Sequence, residues 1–389
     1  MYMRKMALGC LAGIVIAAGC KKDNKTQGVE NGEGCVVQNS VGTGSIIEGQ
    51  YIVIYNSTDN ADSVTLTSIN DRVSRVLKNN NISEKVIERS FSGNPGGFVA
   101  KLSVAEAEKL RRDVSVKAIE NDRIISLGTC FTVAAPTLIT WNVKKVGYGD
   151  GTGKTVWIID SGVDTDHPDL NVDISRSRSF LKGQTSFEDE NGHGTHVAGI
   201  IGAKNNLFGV LGVASGANVV ALRVLDKDGE GTLSGIVQAL SYINSNAKAG
   251  DVVNMSLGEE EPSDLLDQQV QNTASKGILI SIAAGNDNKP AINFSPGRAN
   301  GANIFTVSAV DSLNTFASFS NYGNDAVDYA APGVAIVSTW LDGKYARVSG
   351  TSMAAPHVAG LLLLNGRNLK TSASALNDPD GNPDPIAHK

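Results

Sequence analysis

Three polar residues of this sequence stand where apolar runs begin or end, and their types suit acyl transfer. Asp160 ends the run TVWIID, His193 opens the run HGTHVAGIIGA, and Ser352 precedes the run MAAPHVAGLLLL. A serine becomes a nucleophile when a histidine takes its proton and a carboxylate fixes the histidine tautomer. The sequence therefore predicts that Asp160, His193 and Ser352 act together as the catalytic residues of a hydrolase.

Each of these residues has a simpler interpretation when it is taken alone. Ser352 could merely cap the following helix, with Pro356 tolerated in its first turn, and Asp160 could be an ordinary loop aspartate. His193 and His196 could mimic a metal pair, but the glutamate of the H-E-x-x-H zinc motif is missing. A serine at a helix N-terminus also has backbone N–H groups beside it that stabilise an oxyanion. Taken together, the three residues favour catalysis.

The elements that must position these residues alternate between buried strands and helices. Continuous apolar runs predict strands over 155–160, 218–226, 251–258, 277–286 and 303–310. Helical spacing predicts helices over 193–203, 234–247, 263–277 and 351–368. This alternation is typical of an α/β fold with a doubly wound parallel sheet, whose ligands bind beyond the carboxyl ends of the strands.

A smaller unit precedes this sheet. Residues 50–127 have the order β-α-β-β-α-β, which predicts a ferredoxin-like α+β unit. Ser103 followed by Glu106 predicts a capping box at the start of its second helix.

The N-terminus has the pattern of an export signal. Residues 1–19 combine Arg4 and Lys5 with a short apolar run that ends at Cys20, the predicted lipidation site of a bacterial lipoprotein. A plain secretory signal cut nearby is the alternative. Residues 20–49 are then a polar tether. The precursor is therefore expected to be exported as a membrane lipoprotein.

The composition of the chain also limits which molecules it could bind and whether it could form a disulfide. The chain has 389 residues and a net charge of −6, and no basic run long enough for a nucleic-acid partner. Outside the predicted signal only Cys35 and Cys130 remain, and they either pair in an oxidising compartment or stay free.

Three motifs in one chain resemble the active-site signatures of the subtilisin (subtilase) family of serine endopeptidases. They are VWIIDSGVDTDHPDL around Asp160, NGHGTHVAG around His193 and SGTSMAAPHVAG around Ser352. The resemblance implies a subtilisin-like fold, a triad of these residues, polypeptide substrates and no organic cofactor. It also implies that Asn286, in SIAAGNDN, is the oxyanion donor, whose loss in a subtilisin itself lowers kcat by about 10²–10³-fold.

The resemblance also implies a substrate cleft and an inhibitor-type propeptide. Residues 50–133 would block the cleft until self-cleavage between Val133 and Ala134 leaves a peptidase domain of residues 134–389, which could then be released from the membrane. The residues implied to bind an extended substrate or to line an apolar pocket are Gly229, Gly231, Leu233, Ile236, Ser256, Leu257 and Gly258.

The loop AKNNLFGVLGVA resembles the calcium loop of the same family. The implied ligands are the side chains of Asp169 and Asn206 and the backbone carbonyls of Lys204, Phe208 and Val210. Oxygen ligands of this kind suit a structural Ca²⁺ ion.

Two other functions are compatible with these motifs. The chain could be a narrow-specificity maturation protease for one partner protein, or a binding module that keeps the fold without catalysis. The acidic run Glu259–Glu261 after the substrate segment could favour basic substrate residues, or it could be a solvated loop.

Overall fold

The computed structural model of the chain describes residues 43–56, 66–127, 132–133 and 139–389. The predictions for the export signal, Cys20, the pairing of Cys35 with Cys130, and Ala134 fall outside these residues. Within them, no helix is both long and apolar enough to cross a membrane.

The N-terminal unit is a four-stranded antiparallel sheet with two helices, which confirms the ferredoxin-like prediction. Its strands are β1 (Ile46–Tyr55), β2 (Ile87–Phe91), β3 (Gly97–Lys101) and β4 (Val116–Ser126), in the spatial order β4-β1-β3-β2. Its helices are α1 (Leu66–Asn79) and α2 (Val104–Arg111), and a short 3₁₀ helix covers Glu84–Val86. The predicted capping box is present, because the Ser103 and Glu106 side chains each bond to the other's backbone N–H.

The predicted start of this unit is too late. The boundary placed between residues 49 and 50 falls inside β1, and the chain already contacts the unit at Thr43, whose hydroxyl donates to the carbonyl of Ser126 at 2.7 Å. The first five residues of β1 are exposed or partly exposed, and their sequence IIEGQ has no continuous apolar run. Only the buried second half of the strand has the apolar run from which a strand is predicted.

The larger unit is the predicted α/β domain. Its helices are α3 (Trp141–Val146), α4 (His193–Gly202), α5 (Leu233–Asn246), α6 (Asp264–Ala274) and α7 (Thr351–Asn365), and a 3₁₀ helix covers Ala291–Asn293. Its strands are β5 (Thr132–Val133), β6 (Gly149–Asp150), β7 (Thr155–Asp160), β8 (Arg178–Ser179), β9 (Ala214–Ser215), β10 (Asn218–Arg223), β11 (Glu230–Thr232), β12 (Val252–Met255), β13 (Leu279–Ala283), β14 (Ile304–Val310), β15 (Tyr329–Pro332), β16 (Ile336–Trp340), β17 (Lys344–Val348), β18 (Lys370–Ser374) and β19 (Pro385–His388).

The main sheet has the order β18-β19-β15-β14-β13-β12-β7-β10-β8 and is parallel except for the β18–β19 pair. Strands β7, β12, β13 and β14 are buried along their whole length, as expected for strands covered by helices. Helix α4 packs on α7, and α5 packs on α6. Because the strands run in one direction, β7 and β13 bring the segments that follow them to one edge of the sheet.

Glycines end two elements earlier than predicted. The strand expected over 277–286 stops at Ala283, and Gly285 has a φ of 106°. The helix expected over 351–368 stops at Asn365, where Gly366 has a φ of 65°. Left-handed backbone of this kind interrupts regular structure and favours glycine.

Candidate active site

The sheet edge and helix α4 bring Asp160 and His193 together. Asp160 is the last residue of β7 and His193 is the first residue of α4, and His193 Nδ1 lies 2.8 Å from Asp160 Oδ1. The same carboxylate oxygen accepts the backbone N–H of Ser161 at 2.7 Å. A carboxylate on Nδ1 keeps the proton there, so Nε2 is the atom left to accept a proton from a nucleophile.

Burial and charge act in opposite directions on His193. Burial lowers its pKa, but the Asp160 carboxylate, which also accepts the hydrogen bond, and the Asp189 charge outweigh burial and raise the pKa above the usual 6.5. The imidazolium that forms when a nucleophile loses its proton is therefore stabilised at this position.

Asp189, which belongs to none of the predicted site residues, positions His193. This buried carboxylate accepts the hydroxyl of Ser161 and the backbone N–H groups of Gly192 and Thr195, each at 2.9 Å. It thereby fixes the turn that leads into α4 and holds His193 against β7. Its only sequence signal is an acidic residue just before a helix start, which is common in proteins.

Ser352 lies in the first turn of α7, after Gly350. Its hydroxyl donates to the carbonyl of Ser256 at 3.0 Å, and the hydroxyl of Ser256 donates to the carbonyl of Ser352 at 2.8 Å. Among the described residues His193 Nε2 has no hydrogen-bond partner. No hydrogen bond joins the Ser352 hydroxyl to His193 Nε2 in this structure, and such catalytic bonds often form only when substrate binds.

The position of Pro356 explains why the carbonyl of Ser352 is available. Pro356 is the sixth residue of α7, beyond the first turn in which it was predicted. It has no N–H to donate to the carbonyl four residues earlier, and the Ser256 hydroxyl takes that acceptor instead. The helix that carries Ser352 is thus tied to the segment after β12.

Asn286 faces the start of the same helix. Its Oδ1 accepts the backbone N–H of Thr351 at 2.7 Å and the hydroxyl of Thr351 at 2.9 Å. This fixes the amide so that Nδ2 points toward Gly350, where a methyl group would lie 3.5 Å from it. Asn286 and Ser352 line one cleft, so that a side-chain amide donor and a backbone N–H donor belong to the cleft that holds the Ser352 hydroxyl.

His196 does not form a metal pair with His193. Its Nε2 lies 3.2 Å from the carbonyls of both Ile336 and Ala346, and burial lowers its pKa to about 3. A neutral ring that donates to backbone carbonyls is a structural histidine. Across the described parts of the chain, no group of three histidine, cysteine or acidic side chains could hold a metal ion.

The N-terminal unit adds a strand to the cleft. Strand β4 pairs antiparallel with β11, with Ile125 opposite Gly231, and the N–H of Leu127 donates to the carbonyl of Gly229 at 2.7 Å. A methyl group on Gly229 would lie 2.4 Å from the carbonyl oxygen of Leu127, so only glycine allows this approach. Strand β4 thus lies along the segment predicted to bind an extended substrate.

The other predicted cleft residues surround this strand. Leu233, Ile236 and Leu257 are buried in the same apolar core as Ile125 and Leu127. Leu257, Gly258, Leu127 and Ser352 line one cleft. A methyl group on Gly258 would come within 3.1 Å of the Ser295 carbonyl.

The structure does not place the predicted cleavage point in this cleft. Val133 pairs with Ala346 of β17, while Leu127, six residues earlier, lies in the cleft with Ser352. Ala134 lies outside the described residues.

The predicted calcium loop does not present its ligands as expected. The buried Asp169 carboxylate accepts the Asn206 amide N–H at 2.7 Å, the Val210 backbone N–H at 3.0 Å and the Tyr345 hydroxyl at 2.9 Å. The Asn206 oxygen accepts the N–H of Phe208 instead, and the Lys204 backbone N–H donates to the Asp169 carbonyl. A calcium ion needs oxygen acceptors, whereas hydrogen-bond donors surround this carboxylate, so these residues do not fit the ion.

Comparisons with known proteins agree with the fold and with the division into two units. Residues 151–373 match the subtilase family and residues 50–128 match the peptidase inhibitor I9 family. The chain is 40% identical over 266 residues to a thermostable alkaline protease of Halalkalibacterium halodurans, covering 68% of this chain and 71% of that protein. It is 39% identical to alkaline serine exoprotease A of Vibrio alginolyticus, covering 72% of this chain and only 53% of that longer protein.

A solved structure gives the same result. The structure of a cold-adapted subtilisin-like serine proteinase superposes with a TM-score of 0.58 at 35% identity, covering 65% of this chain and 98% of that one.

The raised pKa of His193 predicts how hydrolysis depends on pH. The base must be neutral, so kcat/KM should be lost as pH falls through an apparent pKa above 6.5 and be fully present at alkaline pH. A pH profile of peptide hydrolysis measures this value. An apparent pKa at or below 6.5 would contradict the proposed effect of Asp160 and Asp189.

The contacts of Asp169 predict a loop that is stable without calcium. Asp169→Ala strands one buried donor and two partly buried donors and should cost about 2–3 kcal/mol, and Tyr345→Phe about 1 kcal/mol. Thermal unfolding should be measured in a Ser352→Ala background, which prevents self-digestion. A chelator should leave the Tm unchanged. A fall in Tm on chelation that Asp169→Ala abolishes would restore the calcium prediction.

Proposed function

The chain belongs to the subtilase family of serine endopeptidases, and from that premise we propose that it is an exported zymogen whose Ser352 hydrolyses peptide bonds after self-processing. The observation that carries this proposal is the pairing of β4 with β11 beside Ser352, which puts the chain's own inhibitor domain where a substrate would lie. This inhibitor domain, described over residues 43–56 and 66–127, is the prosegment.

In the proposed reaction, the Ser352 hydroxyl oxygen attacks the carbonyl carbon of the scissile peptide and His193 Nε2 takes the hydroxyl proton. The Asp160 carboxylate stabilises the imidazolium through Nδ1. The negative oxygen of the tetrahedral intermediate accepts hydrogen bonds from Asn286 Nδ2 and the Ser352 N–H. The imidazolium then returns its proton to the leaving amine as the C–N bond breaks, which leaves an ester on Ser352. Water activated by His193 attacks this ester, and the acid product and the free hydroxyl result.

Two carboxylates of the prosegment support its role as an inhibitor. Asp122 accepts the backbone N–H of Ser234, at the start of α5, at 2.9 Å. Glu120 accepts the hydroxyl of Ser263 at 3.0 Å and the backbone N–H of Leu265 at 3.2 Å, at the start of α6. Carboxylates at helix N-termini are stabilising, because they pair with N–H groups that have no partner inside the helix. The same strand therefore caps two helices of the catalytic domain and fills its cleft.

A binding module without catalysis is the weaker alternative. Such a module would not need His193 held on Asp160, Asp189 to fix its turn, or Asn286 locked by Thr351. These three arrangements each fix a residue of the proposed triad or oxyanion site, and they favour the enzyme.

Membrane anchoring remains part of the proposal and rests on the sequence around Cys20 alone. With the lipid on the prosegment side of the cut, self-cleavage would leave only non-covalent contacts between the protease and the membrane. Degradation of the prosegment would then release the enzyme, so that activation and release are one event.

The proposal predicts a difference between wild-type and Ser352→Ala cells. The mutant cannot cut itself and should stay in the membrane fraction at precursor length, while wild type should yield a shorter soluble form. N-terminal sequencing of that form should give a start after Leu127 and no later than Ala134. A processed Ser352→Ala chain would contradict self-cleavage, and a processed wild-type enzyme that stays in the membrane without its prosegment would contradict the single anchor.

A further inference from the structure

Glu259 is a buried carboxylate that the proposed reaction does not use. It follows Gly258 directly, at the end of the segment that lines the cleft, and it is 0% exposed. Hydrogen bonds join its backbone N–H to the carbonyl of Ser295 at 2.9 Å and its carbonyl to the N–H of Ser295 at 3.1 Å, so its position is fixed. Neither of its side-chain oxygens has a hydrogen-bond partner among the described residues.

The two acidic residues that follow Glu259 have different surroundings. Glu260 is exposed and pairs with Lys289, as a solvated loop residue would. Glu261 lies beside Gly44 of the prosegment. The prediction that this run is a solvated loop therefore holds for Glu260 and is wrong for Glu259.

The prosegment brings one cation toward Glu259. Arg123 of β4 has a buried Nε without a partner among the described residues, and its Nη1 donates to the carbonyl of Gly44 at 3.3 Å. A methyl group on Gly44 would lie 3.8 Å from Glu259 Oε2, so Gly44 is close to both charged groups. Three acidic groups also act on Glu259: Glu120 and Asp122 on β4, and Glu261. The N-terminal arm of the prosegment thus holds the guanidinium of Arg123, which opposes them, on the carbonyl of Gly44.

Strand geometry relates Arg123 to a substrate. Side chains two residues apart in a strand point to the same face, so Arg123 shares a face with Ile125 and Leu127, which pack in the apolar core of the cleft. A substrate strand bound along β11 would present its side chains in the same alternation. It would lack the arm that carries Gly44, and a basic side chain could therefore reach Glu259.

We propose that Glu259 is a specificity-determining residue that selects arginine or lysine at the substrate position occupied here by Arg123, four residues before the position of Leu127. This proposal rests on the proposed function. It assigns a basic peptide as the preferred substrate class and makes Glu259, directly after Gly258, the residue that binds its basic side chain.

The ionisation of Glu259 is consistent with this role. Burial raises its pKa to about 8, the charges of Glu120, Glu261 and Asp122 act in the same direction, and Arg123 opposes them. Departure of the prosegment removes Gly44 from beside the carboxylate and takes away the charges of Glu120 and Asp122. We then expect the pKa to fall toward its usual value, so that the carboxyl carries a negative charge at neutral pH. The free enzyme then offers an unpaired anion beside its cleft.

The test uses the mature enzyme obtained from the full chain and three quenched-fluorescence peptides. The peptides have the sequence of residues 121–133 with serine replacing Cys130, and carry arginine, glutamine or glutamate at the position of Arg123. Mass spectrometry confirms that the same bond is cut in each. Wild type should cut the arginine peptide with a kcat/KM about tenfold above the glutamine peptide, with the glutamate peptide lowest, as expected for a charge-assisted hydrogen bond.

Glu259→Gln should abolish this preference by lowering the kcat/KM for the arginine peptide toward that for the glutamine peptide. Glu260→Gln, a neighbour in the same acidic run, is the matched control and should keep the preference. Equal cleavage of the three peptides by wild type, or a preference that survives in Glu259→Gln, would overturn the proposal. If Glu259→Gln does not mature, the kcat/KM values of wild type for the three peptides decide whether the proposal holds. Failure of wild type to cut any peptide would overturn the proposed function. If wild type cuts all three peptides with equal kcat/KM, only the proposed role of Glu259 is overturned.

Discussion

The backbone pairing of β4 with β11 is the contact on which this zymogen depends. It joins two independently recognisable folds into one sheet and seats Leu127 in the cleft of Ser352. The pairing uses main-chain groups, so it requires close approach more than particular side chains, which explains the glycine at 229. Side chains of the same strand strengthen the pairing further, because Glu120 caps the N-terminus of α6 and Asp122 caps the N-terminus of α5. One strand thus inhibits the enzyme and stabilises two of its helices.

Behind this strand, the proposed catalytic groups are held by a layer of hydrogen bonds that does not itself react. Asp189 fixes the turn before His193, and Thr351 fixes the amide of Asn286. Ser256 exchanges hydrogen bonds with Ser352 in a position that Pro356 leaves open. Positioning of this kind lowers the barrier by supplying oriented dipoles before the reaction starts. A parallel sheet with such non-local contacts is expected to fold slowly, and we propose that the prosegment, which caps two of its helices, also acts as a folding template.

Much of the fold and of the candidate site could be predicted from the sequence. The features that could not be predicted were missed for physical reasons. The strand over residues 155–160 was predicted with its observed bounds because its apolar run is continuous and ends at Asp160. The Ser103–Glu106 capping box was predicted because its signal is local. Asp189 bonds to Ser161 as well as to nearby backbone N–H groups, and Tyr345 bonds to Asp169, so part of each role depends on a partner distant in the sequence. The motif of the calcium loop is present, but the placement of Tyr345 and the orientation of Asn206 are tertiary features that a motif does not encode. The short antiparallel pair β16–β17 has no long apolar run and was missed.

The central claim is that Ser352 is an activated nucleophile that the prosegment covers. Labelling with a fluorophosphonate, which reacts only with activated serines, tests it most directly. Mature enzyme should acquire one adduct on Ser352 by peptide mapping. The full-length precursor of His193→Ala should acquire none, and added prosegment peptide of residues 116–127 should slow labelling of the mature enzyme. Absence of an adduct on Ser352 in the mature enzyme, or an adduct on a different serine, would contradict the account.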